Sequence, residues 1–339
     1  MPQGLDYTAP WWLPGGNLQT IWAALYARRG AGEPPRWQRD RWDTPDGDFI
    51  EVDTLLPAPG APPAAARQPL LVLFHGLEGS SGSQYAQAFA FAAQARGWAC
   101  AVPHFRGCGG SLNLAPRAYH SGDHAEIGWM LAQCAARHAG PLLAVGVSLG
   151  GNALLRWAEE GGAAAPAACR VAAVAAVCSP LDLAAGAGAI GRGFNRHVYT
   201  RMFLASMKPK ALAKLAQHPG LFDGEALRAA TDLHAFDDVF TAPLHGFRDA
   251  EDYWARCSAG PHLAAIRVPA LVLNAANDPF VPVHSLPPAV PGSAGPWVEF
   301  WRPAEGGHVG FPGGRWPPGH VNTMPRAVAG WLASHLPAA

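Results

Sequence analysis

The sequence predicts an α/β fold: a mostly parallel central sheet with helices on both of its faces and a helical cap insertion. Continuous apolar runs of strand length recur at 70–74, 142–147 and 171–177, as in parallel strands that are buried on both faces. Stretches with helical spacing lie between these runs. Polar residues flanked by glycines follow several of the runs, where parallel sheets place their binding sites.

Composition limits the possible partners. The chain has 339 residues, of which 49% are hydrophobic and 15% charged, which suffices for one large α/β domain with an insertion or for two small domains. Its 25 basic residues balance its 25 acidic residues. This balance favours neither a polyanionic partner nor a basic membrane-surface patch, and we expect no nucleic-acid partner.

The cysteines and the amino terminus bear on the compartment. The six cysteines include no C-x-x-C pair, and Cys100 and Cys178 lie in apolar runs, which is typical of buried thiols in a reducing compartment. Residues 1–16 show no basic segment followed by an apolar one, the pattern of a signal peptide. No stretch approaches the roughly 20 apolar residues of a membrane helix. We therefore expect a cytoplasmic protein with no integral membrane segment.

The elements can be assigned in order along the chain. Alternating polarity around Asp46-Gly47 predicts a β-hairpin over 41–56. The predicted strands of the sheet are 70–74, 98–102, 142–147, 171–177, 269–274 and 297–301. Helices are predicted over 85–96, 123–138 (with Ser121 or Asp123 as the N-cap), 149–160 and 322–336.

Three regions follow from this pattern. Residues 1–36 form an aromatic, loop-like N-terminal arm. This arm either makes a lip over a groove or a membrane contact, or packs its tryptophans on the domain, and we favour packing because large aromatic side chains are usually buried. Residues 37–182 and 263–339 form the α/β core. Residues 183–262 contain no convincing strand and predict a helical cap between the two parts of the core.

The stretch Gly146-Val147-Ser148-Leu149-Gly150 has the pattern G-x-S-x-G between a predicted strand and a predicted helix. This pattern is typical of a tight turn that presents a serine nucleophile, here Ser148. Its two glycines let the strand and helix pass close to the turn. The N–H group of Leu149 would then point to where an oxyanion forms. The alternative is a buried strand with a tight exit and no catalytic role.

A serine nucleophile needs a base, which is itself oriented by an acid. Asp278 and His308 each follow a late predicted strand, and they give the chain order Ser, Asp, His that is typical of this arrangement. We predict His308 as the general base and Asp278 as the residue that orients it. Alternatively, Asp278 is only a turn residue before Pro279. The competing acids Asp237, Asp238 and Glu299 fit less well, because none lies just beyond a late strand.

The loop after the first apolar run reads His75-Gly76-Leu77. We predict that the N–H group of Leu77 is the second oxyanion donor beside that of Leu149, and that His75 is structural. The pair His120 and His124 has the spacing of a metal site, but no third ligand is evident, so a capping or solvated site is favoured. Gly107-Cys108-Gly109-Gly110 lacks the lysine of a phosphate-binding loop and is interpreted as a tight loop facing the site. We expect no metal and no cofactor.

Eight stretches together resemble the YheT-like group of α/β-hydrolases, which includes bacterial esterases and related eukaryotic lipid hydrolases. The resemblance extends nearly from end to end, and one departure is His104, where the group has asparagine before Phe-Arg-Gly. The matching stretches are 16–22, 46–49, 75–81, 105–108, 146–152, 237–247, 276–280 and 306–311.

The resemblance implies a hydrolase acting on carboxylic esters, with Ser148, Asp278 and His308 as its catalytic triad. We expect a small ester or lipid-like substrate with a short-to-medium acyl chain, and we expect His104 to tune the pocket. An acyltransferase that uses the same triad and a non-catalytic protein that binds a lipid or ester are the alternatives. The expected apolar wall of the pocket comprises Phe194, Met202, Phe203, Met207 and Phe222.

Overall fold

The structure is a computed structural model that describes residues 4–57, 67–161, 164–290 and 292–337. Its described part contains one eight-stranded sheet with the order β1-β2-β4-β3-β5-β6-β7-β8. Strand β2 is antiparallel to both of its neighbours, and all other pairs are parallel. The strands are β1 (Trp37–Asp43), β2 (Phe49–Leu55), β3 (Leu70–Phe74), β4 (Ala99–Pro103), β5 (Leu142–Val147), β6 (Val171–Val177), β7 (Ala270–Leu273) and β8 (Val298–Trp301).

The helices are distributed before, between and after the strands. Two short π-helical turns, Arg196–Thr200 and Asp237–Thr241, and two 3₁₀ turns, Gly260–Ala265 and Val283–Ser285, connect some of them. The α-helices are α1 (Gly16–Leu25), α2 (Gln84–Gln94), α3 (His124–Arg137), α4 (Leu149–Gly161), α5 (Ala164–Cys169), α6 (Leu183–Ile190), α7 (Gly193–Asn195), α8 (Arg201–Gln217), α9 (Gly224–Ala229), α10 (Leu233–Phe236), α11 (Ala242–His245), α12 (Ala250–Cys257) and α13 (Thr323–Ala333).

The central strands separate two layers of the core. Alternate side chains of a strand point to opposite faces of a sheet, and β3 shows this directly. Its Val72 packs with helices α3 and α4, whereas its Leu73 packs with α2 and α13. Strands β3 and β5 are buried at every position. Burial on both faces explains why they are apolar throughout instead of alternating with polar residues.

The sequence predicted the sheet well. The strands over 70–74, 142–147 and 171–177 are confirmed to the residue, and the hairpin around Asp46-Gly47 is confirmed as the antiparallel pair β1–β2. Asp123 is the N-cap of α3, because its carboxylate accepts a hydrogen bond from the N–H group of Glu126. These features depend on short local patterns, which sequence reasoning can find.

The expectation of a loop-like N-terminal arm was wrong for residues 16–25, which form helix α1. Helix propensity gives little warning of it, because the helix begins at two glycines and ends beside an aromatic residue. Contacts with distant residues stabilise it instead. The side chains of Gln19 and Thr20 are buried against loops that lie more than 250 residues further along the chain.

The described chain between β6 and β7 contains helices, helical turns and loops, but no strand. Helix α8 is the longest of them, with 17 residues. The division of the chain into arm, core and cap stays a prediction. What matters for the site is that α6 and α8 lie over the ends of the central strands, where they line the pocket described below.

Two further expectations concern the compartment. No helix in the described residues is both long enough and apolar enough to span a membrane. All six cysteines are free thiols, and Cys100 and Cys178 are buried as expected.

Candidate active site

Ser148 sits at the turn between β5 and α4, with a positive φ of 53°. Backbone strain of this kind is uncommon outside glycine and is concentrated at functional sites. The turn also requires its glycines. A Cβ atom on Gly150 would lie 2.5 Å from the carbonyl oxygen of His75, so only glycine lets helix α4 pass this close to the end of β3.

Ser148 lies at one end of a chain of hydrogen bonds. His308 Nε2 is 3.0 Å from Ser148 Oγ, and His308 Nδ1 is 2.9 Å from Asp278 Oδ2. The Asp278 side chain is fully buried, and its Oδ1 also accepts the N–H groups of Phe280 and Val281. Nδ1 of His308 is therefore the protonated ring nitrogen, because only an N–H group can donate a hydrogen bond to the Asp278 carboxylate. Nε2 is then free to accept the Ser148 proton.

Helix α1 holds together the two loops that carry Asp278 and His308. Thr20 Oγ1 accepts a hydrogen bond of 2.8 Å from the N–H group of His308. Gln19 Oε1 accepts both Nδ2 of Asn277 and the N–H group of Gly306, each at 2.9 Å. Helix α1 therefore supports the Asp278 and His308 loops, a contact that the sequence did not reveal.

Cys178, at the end of β6, lies beside the same group. Ligand atoms of Cys178, Asp278 and His308 fall within 4.8 Å of one another, which is close enough for a metal ion. However, burial and the nearby Asp278 carboxylate raise the pKa of the Cys178 thiol well above its ordinary value. The protonated thiol accepts the N–H group of Val309 at 3.2 Å, so it supports the His308 loop instead of offering a thiolate ligand.

Leu77 and Leu149 face the same space as Ser148. Both line the pocket that contains Ser148 and His308. Leu149 is the first residue of α4, where N–H groups have no partner inside the helix. Among the described residues, neither the N–H group of Leu77 nor that of Leu149 donates a hydrogen bond. Two free donors at this point match the requirement for an oxyanion hole.

Two tyrosines fix the loop that contains Leu77. The N–H group of Gly76 donates to the hydroxyl of Tyr85, and the N–H group of Glu78 donates to the hydroxyl of Tyr119, both at 2.9 Å. The amides on either side of Leu77 are thus occupied, and the Leu77 amide between them stays free. Neither tyrosine was predicted from the sequence.

Glu78 connects this loop to the helix α8. It has a positive φ of 57°, and its carboxylate accepts the hydroxyl of Tyr119 at 2.8 Å. The ammonium group of Lys210 on α8 lies 2.8 Å from the other carboxylate oxygen, which also accepts the hydroxyl of Ser206. Helix α8 and the Leu77 loop are therefore linked through one buried carboxylate.

The pocket beside Ser148 has a volume of about 160 Å³ and is lined mostly by apolar side chains. Of the five residues expected to form its wall, Phe203 and Met207 on α8 line it. Phe194 and Met202 are exposed instead. Phe222 does not line the pocket but packs against Phe240, which does.

Comparison with known proteins identifies the family of this chain. A sequence profile of the alpha/beta hydrolase fold matches residues 69–314. The chain belongs to the α/β-hydrolase family. It is 41% identical over 302 residues to the Escherichia coli protein named "Putative esterase YheT", with 88% of this chain and 84% of that protein covered. The resemblance to the YheT-like group is confirmed by this match.

Two further relatives extend the comparison. This α/β-hydrolase is 27% identical to mouse "Phospholipase ABHD3" over 290 residues, which cover 84% of this chain and 68% of the mouse protein. Among solved structures, a Pyrococcus furiosus esterase superposes with a TM-score of 0.52, and 89% of this chain and 94% of that chain are covered. At 13% identity, this last likeness shows the shared fold alone.

The competing acids do not reach His308 in this α/β-hydrolase. Asp237 is half-buried and accepts hydrogen bonds from Thr241 and Trp254, and desolvation raises its pKa to about 6. Asp238 accepts the N–H group of Ala250. Glu299 accepts the indole N–H groups of Trp301 on β8 and of Trp331 on α13.

The histidines near the site have structural contacts. His75 is fully buried, its Nε2 accepts the N–H group of Phe105, and burial lowers its pKa to about 3. His104 was expected to tune the pocket, but it does not line it. Its Nε2 binds Asp53, which in turn pairs with Arg39.

The His120 and His124 pair does not form a three-ligand metal group in the described residues. His120 instead packs its ring 4.3 Å from that of His245, and its Nδ1 accepts the N–H group of Gly122. The glycine-rich loop contributes Gly107 to the pocket, as the sequence interpretation expected, whereas Gly109 packs against Glu51.

Proposed function

We propose that this α/β-hydrolase is a serine carboxylesterase that cleaves esters with short-to-medium acyl chains through an acyl-enzyme intermediate. The observation that carries the proposal is the hydrogen-bonded chain from Ser148 through His308 to Asp278 at an apolar pocket. The roles of these residues, and those of Leu77 and Leu149, are part of the proposal.

In the first half-reaction, Ser148 Oγ attacks the ester carbonyl carbon while its proton passes to His308 Nε2. The carbonyl oxygen becomes an oxyanion, which accepts hydrogen bonds from the N–H groups of Leu77 and Leu149. Asp278 stabilises the positive charge that forms on His308. The tetrahedral intermediate then collapses, and His308 returns the proton to the departing alcohol.

The second half-reaction repeats these steps with water. His308 accepts a proton from a water molecule, whose oxygen attacks the acyl carbon on Ser148. The second oxyanion accepts hydrogen bonds from the same two N–H groups. Its collapse breaks the bond to Ser148 Oγ, which recovers its proton from His308, and a carboxylic acid leaves.

The size of the pocket supports the acyl chain length in the proposal. Its volume of about 160 Å³ is similar to that of an engineered core cavity of about 150 Å³ that holds benzene. An acyl chain of about six carbons is of comparable size. Phe203 and Met207 give this space an apolar wall, so it suits a hydrocarbon chain.

Hydrolysis of p-nitrophenyl esters from acetate to palmitate, by the wild type and by Ser148→Ala, tests the proposal. We expect activity that peaks at short-to-medium chains and falls by at least about 10⁴-fold in the variant. Activity that survives the substitution would exclude the serine mechanism.

The same assay distinguishes the alternatives. Faster formation of a new ester than of the free acid when an alcohol is added would indicate an acyltransferase. An absence of turnover together with saturable binding of the esters would indicate a non-catalytic lipid-binding protein. The cytoplasmic location stays a prediction, supported by the six free thiols.

A further inference from the structure

Charge is unevenly distributed along this chain although its total is zero. Three stretches, 7–32, 183–222 and 306–339, contain no aspartate or glutamate, so all 25 acidic residues lie elsewhere. The same stretches carry ten basic residues: Arg28, Arg29, Arg192, Arg196, Arg201, Lys208, Lys210, Lys214, Arg315 and Arg326. The whole-chain balance therefore conceals a strongly basic part of the molecule.

The three acid-free stretches meet at helix α1. The indole N–H of Trp22 donates to the carbonyl oxygen of Pro318 at 2.8 Å. The hydroxyl of Tyr199 donates to Oδ1 of Asn17 at 2.9 Å. Helix α1 thus contacts both other stretches, and we call the exposed side chains of the three stretches the basic aromatic face.

This face is unusually apolar for a surface. Seven of the eleven large apolar side chains that are exposed in the described residues belong to its three stretches. Trp11 is 72% exposed and Trp316 is 61% exposed, and their rings contact each other edge to face at 5.8 Å. Phe194 and Met202 are 53% and 54% exposed.

Helix α1 departs from the pattern of an ordinary surface helix, which buries apolar residues and exposes polar ones. It buries the polar side chains of Gln19 and Thr20 and exposes Leu18 and Leu25, with Tyr26 exposed just beyond its end. Burial of the polar side is explained by the bonds to the catalytic loops. The exposed apolar side makes no comparable contacts within the described part of the chain, so this side is available to a partner.

Three arginines of the face are free to contact that partner. Arg192, Arg196 and Arg201 are exposed, and none of them forms an ion pair within the described residues. Along the chain, Arg192 and Arg196 flank the exposed Phe194, and Arg201 precedes the exposed Met202. The lysines of the same stretch already have partners, since Lys210 pairs with Glu78, and Lys208 and Lys214 donate to backbone carbonyls.

We propose that the basic aromatic face docks on the surface of a membrane that contains anionic lipids. Tryptophan and tyrosine prefer the region between headgroups and hydrocarbon, and unpaired arginines are attracted to anionic headgroups. RNA would satisfy the arginines but would leave Leu18, Leu25 and Met202 exposed to water. The proposal concerns binding alone and does not depend on the proposed ester hydrolysis.

Flotation of the full chain with lipid vesicles tests the proposal. The vesicles are phosphatidylcholine alone or an equal mixture with phosphatidylglycerol, each at low and high salt. We expect flotation with the anionic vesicles that weakens as salt rises. The variant Arg192→Gln/Arg196→Gln/Arg201→Gln is expected to bind about fivefold more weakly for each charge removed.

Matched variants guard against a general effect of charge or of folding. Arg137→Gln/Arg248→Gln/Arg267→Gln removes three exposed arginines outside the three stretches and should float as the wild type does. Trp11→Ser should weaken flotation, whereas Trp297→Ser, at an exposed tryptophan outside the face, should not. Thermal melting verifies that each variant is folded.

Three results would overturn the proposal. One is the absence of flotation with anionic vesicles at low salt. Another is an equal loss of flotation in the two triple-arginine variants. The third is binding of a homopolymeric RNA that requires Arg192, Arg196 and Arg201, without any flotation, because it would assign the face to nucleic acid.

Discussion

Two tyrosine hydroxyls determine where the proposed oxyanion donor points. Tyr119→Phe removes the acceptor of the Glu78 N–H group, and Tyr85→Phe removes that of Gly76. Because the loss of a whole donor costs about 10²–10³ in turnover, we expect a misdirected Leu77 amide to lower kcat about tenfold in each variant. Ester hydrolysis kinetics give the measurement.

The control for these variants is Tyr7→Phe. It also loses one hydrogen bond between a hydroxyl and the backbone, but its partner is the carbonyl of Pro312, outside the Leu77 loop. If Tyr7→Phe lowers kcat as much as the other two, the tyrosines act only through general stability. An unchanged kcat in Tyr119→Phe and Tyr85→Phe would equally contradict the assignment.

Thr20 is expected to act as a positioning residue for His308. Thr20→Val keeps the shape of the side chain but leaves the buried N–H group of His308 without an acceptor. We expect kcat to fall about tenfold, since small displacements of a catalytic group are costly, while KM changes little because Thr20 does not line the pocket.

The conservative substitution Thr20→Ser tests this role. Its hydroxyl can still accept the His308 N–H group, so kcat should recover to nearly the wild-type value. A variant Thr20→Ser as slow as Thr20→Val would show that packing of the methyl group, and not the hydrogen bond, is what matters.

At this scale the sequence predicted the proposed reacting groups but not their supports. Ser148 is marked by a five-residue pattern, and Asp278 and His308 each follow a strand. Thr20 and Tyr119 carry no such mark, because their partners lie 288 and 41 residues away along the chain. Only the folded chain brings these pairs together.

Helix α8 contributes Phe203 and Met207 to the wall of the pocket. Phe203→Ala should enlarge the space beside Ser148 and shift the preferred ester towards longer acyl chains. Each further methylene that becomes buried is expected to raise kcat/KM about fourfold. The chain-length profile of kcat/KM measures the shift.

Phe222→Ala is the matched control for α8, since it also truncates a phenylalanine between β6 and β7 but lies outside the pocket. It should leave the chain-length profile in place. A shift in this control equal to that of Phe203→Ala would contradict the view that direct lining by α8 sets the profile.

Helix α1 was harder to predict than the strands for a physical reason. A strand such as β5 is apolar throughout because both of its faces are buried, so its own sequence identifies it. Helix α1 buries the polar Gln19 and Thr20 beside Ala23 and exposes the apolar Leu18 and Leu25. Since that pattern is the reverse of the usual one, the expectation of a loop at 16–25 failed.

Acid stability is a property of the whole molecule to which His120 contributes. Burial lowers the pKa of His120 from its ordinary value of 6.5 to about 4. The unfolded chain therefore binds a proton at pH values where the folded chain does not, and this contribution to stability is full above 6.5 and lost as the pH falls towards 4.

His120→Asn isolates this effect, because its amide oxygen can still accept the N–H group of Gly122. Relative to the variant, the wild type should lose about 2 kcal/mol of unfolding free energy between about pH 7 and about pH 5. Urea denaturation at both pH values measures it. A difference that does not change with pH would contradict the burial of a neutral His120.

Charge distribution is also visible only at the scale of the molecule. The total of 25 basic and 25 acidic residues argued against a basic surface. The fold brings three acid-free stretches together around α1, and a sum over the whole chain cannot register that arrangement.

The most direct test of the central claim is to label the protein with a fluorophosphonate and locate the adduct by mass spectrometry. Such probes react with a serine only when a base has activated it. We predict one adduct per chain, on Ser148, and none in Ser148→Ala. An unlabelled wild type, or an adduct on another serine, would contradict the account of Ser148 as the nucleophile.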